Sequence, residues 1–428
     1  MAHSQAPARP ERVEASNAVH VAAADPASGA ADAAEGFRAE IRSWLQENLT
    51  GRFATLRGRG GPGREHEVHA ERLEWDRHLA QAGWTCIGWP VEHGGRGAST
   101  AQQVIFHEEY ARANAPSRVN HLGEELLGPT LIAFGTPAQQ ARFLPKIKAV
   151  QELWCQGYSE PNAGSDLAAV ATTARLDGDQ WSITGQKVWT SLAHLADWCF
   201  VVARTEPGSS RHHGLSYLLV PMKQPGIEVR PIQQITGTSE FNEVFFDDAR
   251  TDASLVVGEP GEGWRVAMAT LGFERGVATL GQQIGFRREL DGLIELATQN
   301  GMIGDPIIRE RLARAWMGLE VMRAHAQRTL ASVAAGTPGT EASVAKLLWA
   351  HWHRDLGELA MTIRGPQSLV YGAEARNGTN GTDEADGLDS WQRLFLFSRA
   401  DTIYGGSDEV QRNIIAERTL GLPREVRS

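Results

Sequence analysis

Two segments rich in glycine and small hydroxyl side chains carry residue types that could hold a flat, polar ligand. The first spans Gly157–Ala169 and reads GYSEPNAGSDLAA, and Gly164 within it would let a planar ligand approach the backbone closely. The second spans Gly185–Ser191 and reads GQKVWTS, and the indole of Trp189 could pack against an aromatic ring system. Each feature alone is more often an ordinary loop or a core tryptophan, so the interpretation depends on their occurring together.

Two further segments complete a set of four. Gly258–Trp264 (GEPGEGW) is followed by Leu271–Gly276 (LGFERG), and Thr402–Arg424 begins TIYGGSDEVQRN. In this order and spacing the four segments resemble the signature motifs of the acyl-CoA dehydrogenase family, over about Gly36–Arg424. The resemblance implies an α+β fold with an N-terminal α-helical domain, a small middle β-barrel or sandwich domain and a C-terminal four-helix bundle.

The same resemblance implies a reaction. Acyl-CoA dehydrogenases bind FAD noncovalently at the domain junction and convert an acyl-CoA thioester to the trans-2-enoyl-CoA. A carboxylate takes the α-proton, a hydride passes from the β-carbon to flavin N5, and the electrons go on to electron-transfer flavoprotein. Such a reaction needs a well-placed base whose pKa is raised by burial, and hydrogen-bond donors at the thioester oxygen.

The position of the base departs from the commonest family pattern. Many members carry it in a Tyr-Glu-Gly-Thr motif, whereas this sequence reads YGGS from Tyr404 to Ser407, with Gly405 at the glutamate position. A minority arrangement, seen in isovaleryl-CoA and long-chain dehydrogenases, puts the base on the first bundle helix, where this sequence has Glu274 next to Arg275. We therefore expect Glu274 to be the catalytic base. The alternative is a helix-surface glutamate that pairs locally.

Further residues are assigned to substrate and cofactor by the resemblance. The backbone N–H of Gly405 is expected to help bind the thioester oxygen, since glycine retains that donor. Trp189 is expected to lie against the flavin, and Ser191 near its reactive edge. Ser407 and Glu409 would face its diphosphate and adenosine. The expected substrate-binding residues are Ser165, Arg275, Gly405 and Gly406. The expected FAD-binding residues are Tyr158, Ser159, Gly164, Ser165, Trp189, Ser191, Arg364, Gly365, Ser407 and Glu409.

Two departures affect the half of the FAD site that a neighbouring subunit usually completes. The usual Arg-x-x-Phe-Gly motif is missing from Thr298–Pro306, and the usual Gly-Gly-x-Gly reads RGPQ from Arg364. Either altered contacts hold FAD, with Arg364 a candidate cation for the diphosphate, or the site lies between this chain and a different partner. Dehydrogenases of steroid and other bulky acyl-CoA substrates include α2β2 heterotetramers, and this sequence resembles their base-carrying subunit. A homotetramer is the simpler alternative.

Two other functions are left open by the sequence. A flavin oxidase or monooxygenase on the same fold is one, although those relatives usually lack the base that Glu274 would supply. A noncatalytic subunit that completes the FAD site of a heterotetramer is the other. The lost FAD contacts favour that subunit, and Ser165, Trp189 and Glu274 oppose it. The expected metabolic role is fatty-acid or steroid side-chain β-oxidation, but the sequence does not specify the acyl group.

Three zones of hydrophobic periodicity must position these residues. Residues 1–35 are rich in alanine and small polar residues, and we expect a flexible tail. Residues 36–150 have helical periodicity, residues 151–258 have a period of two, and residues 259–428 return to long helical patterns. These zones predict an N-terminal helical domain, a middle β-domain and a C-terminal helical bundle.

Individual elements follow from the same patterns. Thr136 followed by Pro137 predicts a helix start. The candidate strands are Ala174–Leu176, Trp181–Thr184, Trp198–Arg204, Leu215–Pro221, Ile227–Ile232 and Val244–Phe246. The candidate bundle helices are Trp264–Thr298, Pro306–Ala335, Glu341–Tyr371 and Trp391–Tyr404, with a short one at Asp408–Leu420.

Composition argues against several classes of protein. The 42 Lys and Arg residues against 52 Asp and Glu residues give a net charge of −10, which disfavours nonspecific nucleic-acid binding. No apolar run approaches the roughly 20 residues of a membrane-spanning helix. Three scattered cysteines indicate buried thiols in a reducing cytoplasm: Cys86, Cys155 and Cys199. His351 and His353 are two apart, which would point them to different helix faces, so we predict no metal site.

Overall fold

The computed structural model of the protein describes residues 26–274, 278–334, 341–371 and 387–423. Its first part is helical, as expected, with α1 (Pro26–Asn48), α2 (His69–Gln81), α3 (Thr100–Arg112), α4 (Gly128–Phe134) and α5 (Pro137–Lys148). Helix α1 begins at Pro26, so residues 26–35, which we expected in the tail, are helical. Alanine favours helix, and this stretch runs directly into the amphipathic part of α1. Residues 1–25 lie outside the described part.

The predicted start of α5 is confirmed. Thr136 caps the helix, because its side chain accepts a hydrogen bond from the Gln139 backbone N–H at 3.2 Å. The Gln139 side chain accepts one from the Thr136 N–H in return, at 3.0 Å. Pro137 occupies the first turn, where the missing N–H costs nothing.

The middle part is a seven-stranded sheet. Its strands are β1 (Trp154–Gly157), β2 (Thr173–Asp177), β3 (Gln180–Ser191), β4 (Trp198–Arg204), β5 (Leu215–Pro221), β6 (Ile227–Ile232) and β7 (Phe241–Asp252). The order is β1-β4-β2-β3-β7-β6, with β5 paired to β4. β1 stands at one end of this order and pairs in parallel with β4, with Trp154 opposite Trp198 and Gly157 opposite Val201.

Strands β4 and β5 are buried on both faces, which explains their continuous apolar sequences. On one face Val201 and Leu218 join a core inside the β-domain. On the other face Phe200 and Leu219 join a core shared with helices. The side chains of these four residues are fully buried. Strands β4 and β5 therefore form the centre of the β-domain, with helices packed on one of their faces.

The last part is helical again. It contains α6 (Gly263–Glu274), α7 (Ala278–Gln299), α8 (Pro306–Ala334), α9 (Glu341–Arg364), α10 (Ser390–Phe397) and α11 (Asp408–Ile414). Helix α9 ends at Arg364 rather than Tyr371, because Gly365 takes a left-handed φ of 57° and Pro366 follows in a 3-10 turn. Helices α10 and α11 are also shorter than predicted, and each continues into an irregular helical turn.

Helix α6 is fixed by a core to which all three parts contribute. Its Val266 and Ala267 are buried in the same apolar core as Phe200 of β4 and Leu126. Leu126 belongs to a π-helical turn, Leu122–Leu127, which precedes α4 and packs against α6. The helix that leads to Glu274 is thus held between the β-domain and the N-terminal helices. None of the helices in the described ranges has the length and apolar character that crossing a bilayer requires.

Candidate active site

A buried ion pair anchors the loop that follows β1. The Lys187 ammonium on β3 donates to Glu160 Oε1 at 2.8 Å, to the Val202 carbonyl at 2.8 Å and to the Tyr158 carbonyl at 3.1 Å. Lys187 is fully buried and Glu160 is 7% exposed. Burial would raise the pKa of the Glu160 carboxyl, but Lys187 and hydrogen-bond donors of Ala171 and Thr172 hold it below its usual range. The loop is therefore clamped at its base.

Beyond this clamp the loop is open. Gly164 and Ser165 are exposed, and a Cβ added at Gly164 would meet no atom within 4 Å. The structure brings this loop beside the second sequence segment, because the Val188 N–H donates to the Ser159 carbonyl at 2.9 Å. Tyr158 is different, since its ring lies in the shared core against Phe200 and Tyr217, 5% exposed. The Tyr158 carbonyl contacts Lys187, whereas the ring is buried in the core, so a contact between the ring and FAD is not favoured.

Trp189 has an unusual backbone that turns its side chain outward. The register of β3 against β7 shifts between Lys187 and Thr190, and Trp189 lies in this irregularity with a φ of 59°. Non-glycine residues in left-handed backbone are uncommon and cluster at functional sites. The indole is 57% exposed and is supported from one side by the ring of Phe241, at 6.1 Å between centroids. Ser191 follows at the end of β3, half-buried.

The fourth segment forms a separate group held by the bundle. Gly405 and Gly406 both have left-handed backbone, with φ of 63° and 89°, which glycine adopts without a steric cost. Their carbonyls accept from the side chain of Gln411, at 3.2 and 3.3 Å. Ser407 caps α11 by accepting from the Val410 N–H at 3.4 Å, and the neighbouring Glu409 is exposed.

Arg364 is already engaged by a protein carboxylate. Its guanidinium lies 2.6 Å from Asp389 Oδ2, and both side chains are largely buried, 15% and 10% exposed. It also donates to the Gln367 carbonyl at 3.1 Å. This pairing weighs against the predicted role as a cation for the FAD diphosphate, which would have to compete with Asp389. Gly365 follows, with open space around its Cβ position.

The predicted base lies at the edge of the described structure. Glu274 is the last residue of α6, but its side chain lies outside the described part of the chain, as does all of Arg275. One turn earlier, Thr270 is fully buried, and its hydroxyl lies 2.8 Å from that of Thr130 on α4. The position of α6 is therefore defined up to the residue that we expect to act as base.

Several residues that hold this arrangement were given no such role from the sequence. Glu160 and Lys187 lie inside the first two segments, and the signal for a buried pair was a lysine inside a strand. His351 on α9 hydrogen-bonds with Asp408 in the fourth segment, and His353 hydrogen-bonds at 2.5 Å with Asp401, the residue just before that segment. Although the two histidines are two residues apart, both find partners here, because the turn at Ala400–Thr402 and helix α11 both pack against α9.

Comparison with known proteins identifies the family. Three acyl-CoA dehydrogenase domain models match in order: the N-terminal domain over residues 31–151, the middle domain over 155–249 and the C-terminal domain over 261–420. The chain is 67% identical over 394 residues to "Acyl-CoA dehydrogenase IpdE1" of Mycobacterium tuberculosis (strain ATCC 25618 / H37Rv), covering 92% of this chain and 99% of that protein. The chain belongs to the acyl-CoA dehydrogenase family. It is an oxidoreductase that acts on acyl-CoA, and the predicted family and fold are confirmed.

Solved structures of acyl-CoA dehydrogenases share the fold over nearly the whole chain. "Tcur3481-Tcur3483 steroid ACAD" superposes with a TM-score of 0.78 at 30% identity, covering 92% of this chain and 98% of that one. The "ChsE4-ChsE5 complex from Mycobacterium tuberculosis" has a TM-score of 0.74 at 31% identity, again covering 92% and 98%. Acyl-CoA dehydrogenases are generally FAD-dependent.

Proposed function

We propose that this acyl-CoA dehydrogenase removes hydrogen from the α- and β-carbons of a bulky acyl-CoA thioester, with Glu274 as base and FAD as cofactor. The observation that carries the proposal is Gly405, a left-handed glycine where many family members have the base. Since glycine cannot accept a proton, another carboxylate must do so. Glu274 is the candidate, because it ends a helix that is packed firmly against the β-domain.

The residues on the β-domain fit the ring system of FAD. Trp189 presents an exposed indole, Gly164 and Ser165 lie in an open loop, and Ser159 and Ser191 supply hydroxyls nearby. An aromatic ring stacks favourably on an indole and gains hydrogen bonds from such a polar rim. FAD bound there would supply the acceptor for the substrate's β-hydrogen. Ser407, Glu409 and Gly365 are the proposed contacts to its diphosphate and adenosine, since the Arg364 guanidinium is paired with Asp389.

In this proposal the Gly405–Gly406 turn polarises the thioester. The Gly405 N–H donates to the thioester oxygen, which stabilises the negative charge that develops there when Glu274 takes the α-proton. Gln411 holds both glycine carbonyls, so the turn does not have to reorganise during the reaction. Ser165 and Arg275 are the other proposed substrate contacts. Donors fixed before the reaction are worth more than donors that must be ordered during it.

The substrate class and the partners follow from the same comparison. A base on α6 instead of the C-terminal loop reshapes the pocket, and one solved relative, 30% identical to this chain, is a "steroid ACAD". We infer a ring-containing acyl group. The missing cross-subunit FAD motif supports an α2β2 heterotetramer over a homotetramer, as do the two-component names Tcur3481-Tcur3483 and ChsE4-ChsE5 of the solved relatives. We propose electron-transfer flavoprotein as electron acceptor. The three buried, free cysteines support a cytoplasmic location.

The test is Glu274→Gln, with Glu262→Gln as the matched control, since Glu262 is an exposed glutamate just before α6. Turnover of steroid and straight-chain acyl-CoA esters is measured with an artificial electron acceptor, and FAD by its absorbance. Glu274→Gln should lose at least about 100-fold in kcat with FAD still bound, because a positioned general base is worth roughly 10²–10⁴-fold. Glu262→Gln should be active. A Glu274→Gln enzyme that keeps more than about a tenth of the activity would reassign the base.

The oligomer proposal has a separate readout. The chain is purified alone and after coexpression with genes adjacent to its own, and size and colour are compared. A yellow, active heterotetramer only in the coexpressed sample supports the proposal. A stable, active homotetramer from the single chain refutes it. If the chain is colourless alone, completes FAD binding in its partner and supplies no catalytic base, it would instead be the noncatalytic subunit.

A further inference from the structure

Helix α9 carries three side chains that grip the segment leading into the Gly405–Gly406 turn. Lys346 donates from its ammonium group to the Asp401 backbone carbonyl, and it is 7% exposed. His353, two helical turns further on, contacts the Asp401 carboxylate. His351 hydrogen-bonds with Asp408, on the far side of the turn. The turn is therefore held at both of its ends by one helix.

His353 lies between two carboxylates from different elements. Its Nδ1 donates to Asp401 Oδ2 at 2.5 Å, and its Nε2 donates to Glu289 Oε2 on α7 at 3.1 Å. Only the protonated imidazole can donate from both nitrogens. The ring is 12% exposed and packs on Phe286 at 4.8 Å between centroids. This is a charged, two-sided clamp between α7, α9 and the C-terminal segment.

Asp401 transmits this clamp to the turn. The residue is 1% exposed, and its second carboxylate oxygen accepts from the Tyr404 hydroxyl at 2.7 Å. Tyr404 immediately precedes Gly405, the residue whose N–H is proposed to bind the thioester oxygen. Movement of Asp401 would therefore move the backbone from which that N–H projects.

We propose that His353 is a positioning residue of this acyl-CoA dehydrogenase: held by Glu289, it fixes Asp401 and thereby the direction of the Gly405 N–H. The inference rests on the proposed function, which supplies the role of that N–H. His353 does not touch the substrate or the cofactor in this scheme. It acts through the Asp401–Tyr404 contact and is separate from the base.

The clamp requires a protonated His353, because the ring must donate to both Asp401 and Glu289. Burial alone would lower the pKa of His353, but Glu289 on α7 and Asp401 in the C-terminal segment raise it to about 10. On its own helix, Lys346 faces the Asp401 carbonyl, and His351 faces Asp408, which Arg412 also approaches at 3.8 Å. Because the folded pKa is raised, the clamp is intact below the unfolded value of 6.5 and lost only as pH rises through about 10.

The experiment is to remove one carboxylate without removing the histidine. In Glu289→Gln the pKa of His353 should fall into the range between 6.5 and about 10, so that the ring loses its proton within the usual assay range. The control is Glu358→Gln, also on the surface of the bundle, which removes only an exposed pair with Arg399 at 2.8 Å. The pH profile of kcat is recorded from pH 6 to 9.5 for the wild type and both variants.

We expect the wild type and Glu358→Gln to show no descending limb from this group below about pH 9.5. Glu289→Gln should match them at pH 6 and lose about tenfold in kcat by pH 9, with KM changed by less than about threefold, since the Gly405 N–H acts mainly as charge develops. His353→Gln should show the lower kcat at every pH. A Glu289→Gln profile that overlays the wild type refutes the proposal.

Hydrogen exchange gives a readout that does not depend on activity. At pH 9, amides in residues 403–412, which lie beyond the Arg399 contact that the control removes, should exchange faster in Glu289→Gln than in the wild type or in Glu358→Gln. Faster exchange in a protein that oxidises no acyl-CoA would leave the clamp standing and refute the proposed function. Unchanged exchange in an active enzyme would refute the clamp alone. The two failures are therefore distinguishable.

Discussion

The buried Lys187–Glu160 pair gives the sharpest test of what holds the site loop. In Lys187→Met the apolar volume is roughly kept, but Glu160 loses its countercharge. Removing one partner of a buried pair costs about 3–5 kcal/mol, because a buried charge is left uncompensated. Glu160 would keep the backbone N–H donors of Ala171 and Thr172, at 2.7 and 2.9 Å. The cost of breaking the pair should therefore lie at the low end of this range, near about 3 kcal/mol.

Two carbonyls would also lose their donor. Those of Tyr158 and Val202 each accept from Lys187, and an unsatisfied buried acceptor costs about 1 kcal/mol or more. We expect a total loss of about 5 kcal/mol in the free energy of unfolding, from the broken pair and the two carbonyls together. Lys223→Met is the matched control, because Lys223 pairs with Asp197 at 2.6 Å but is 80% exposed. Lys223→Met should lower the free energy of unfolding by less than about 1 kcal/mol.

The assay is urea denaturation of the holoenzyme at pH 7, followed by far-UV circular dichroism. The double variant Lys187→Met with Glu160→Gln should recover part of the lost stability, because no unpaired charge remains. Limited proteolysis within residues 158–172 should be faster in Lys187→Met, since the loop loses its anchor. The reasoning fails if Lys187→Met unfolds within about 1 kcal/mol of Lys223→Met.

Two further predictions concern other contacts. Trp189→Ala should weaken FAD binding by about tenfold, because a ring-stacking surface is lost. Titration of the deflavinated protein measures this; Trp316→Ala, an exposed tryptophan on α8, should not change the affinity, and equal effects of both variants would contradict the assignment. Glu109 accepts from three arginines, which lower its pKa to about 2 despite the opposing effect of burial: Arg38, Arg42 and Arg112. Its contribution to stability is thus present above the unfolded pKa of 4.5 and lost as pH falls toward 2, so the melting temperature of Glu109→Gln should depend less on pH in that window; a parallel pH dependence would exclude the effect.

The middle domain shows what patterning alone could predict. The bounds of β4, β5 and β6 were predicted as the structure has them, because continuous or alternating apolar runs end at clear turn signals. β1 was missed, since its sequence WCQG neither alternates nor forms a continuous apolar run. Helix α9 was predicted too long because apolar residues continue past Arg364, although Pro366 gave the local signal for its end.

The segments that form the site were recognisable in the sequence, but the residues that hold these segments in place were not. Gly164, Trp189 and Gly405 stand out by type within unusual strings. The Glu160–Lys187 pair depends on strand pairing across the sheet, and no local pattern states which strand carries the partner. The spacing of His351 and His353 suggested opposite faces, yet both reach one segment whose path is fixed only by tertiary packing.

The core that holds α6 has a consequence for dissecting this enzyme. Leu126, Phe200 and Val266 come from the three regions that the family models treat as separate domains, yet they share one set of apolar contacts. A fragment ending near residue 258 would expose to water the apolar surface that α6 covers in this core, at about 25 cal/mol for every Å² uncovered. Fragments cut at those boundaries should therefore aggregate, and the intact chain should melt as one cooperative unit.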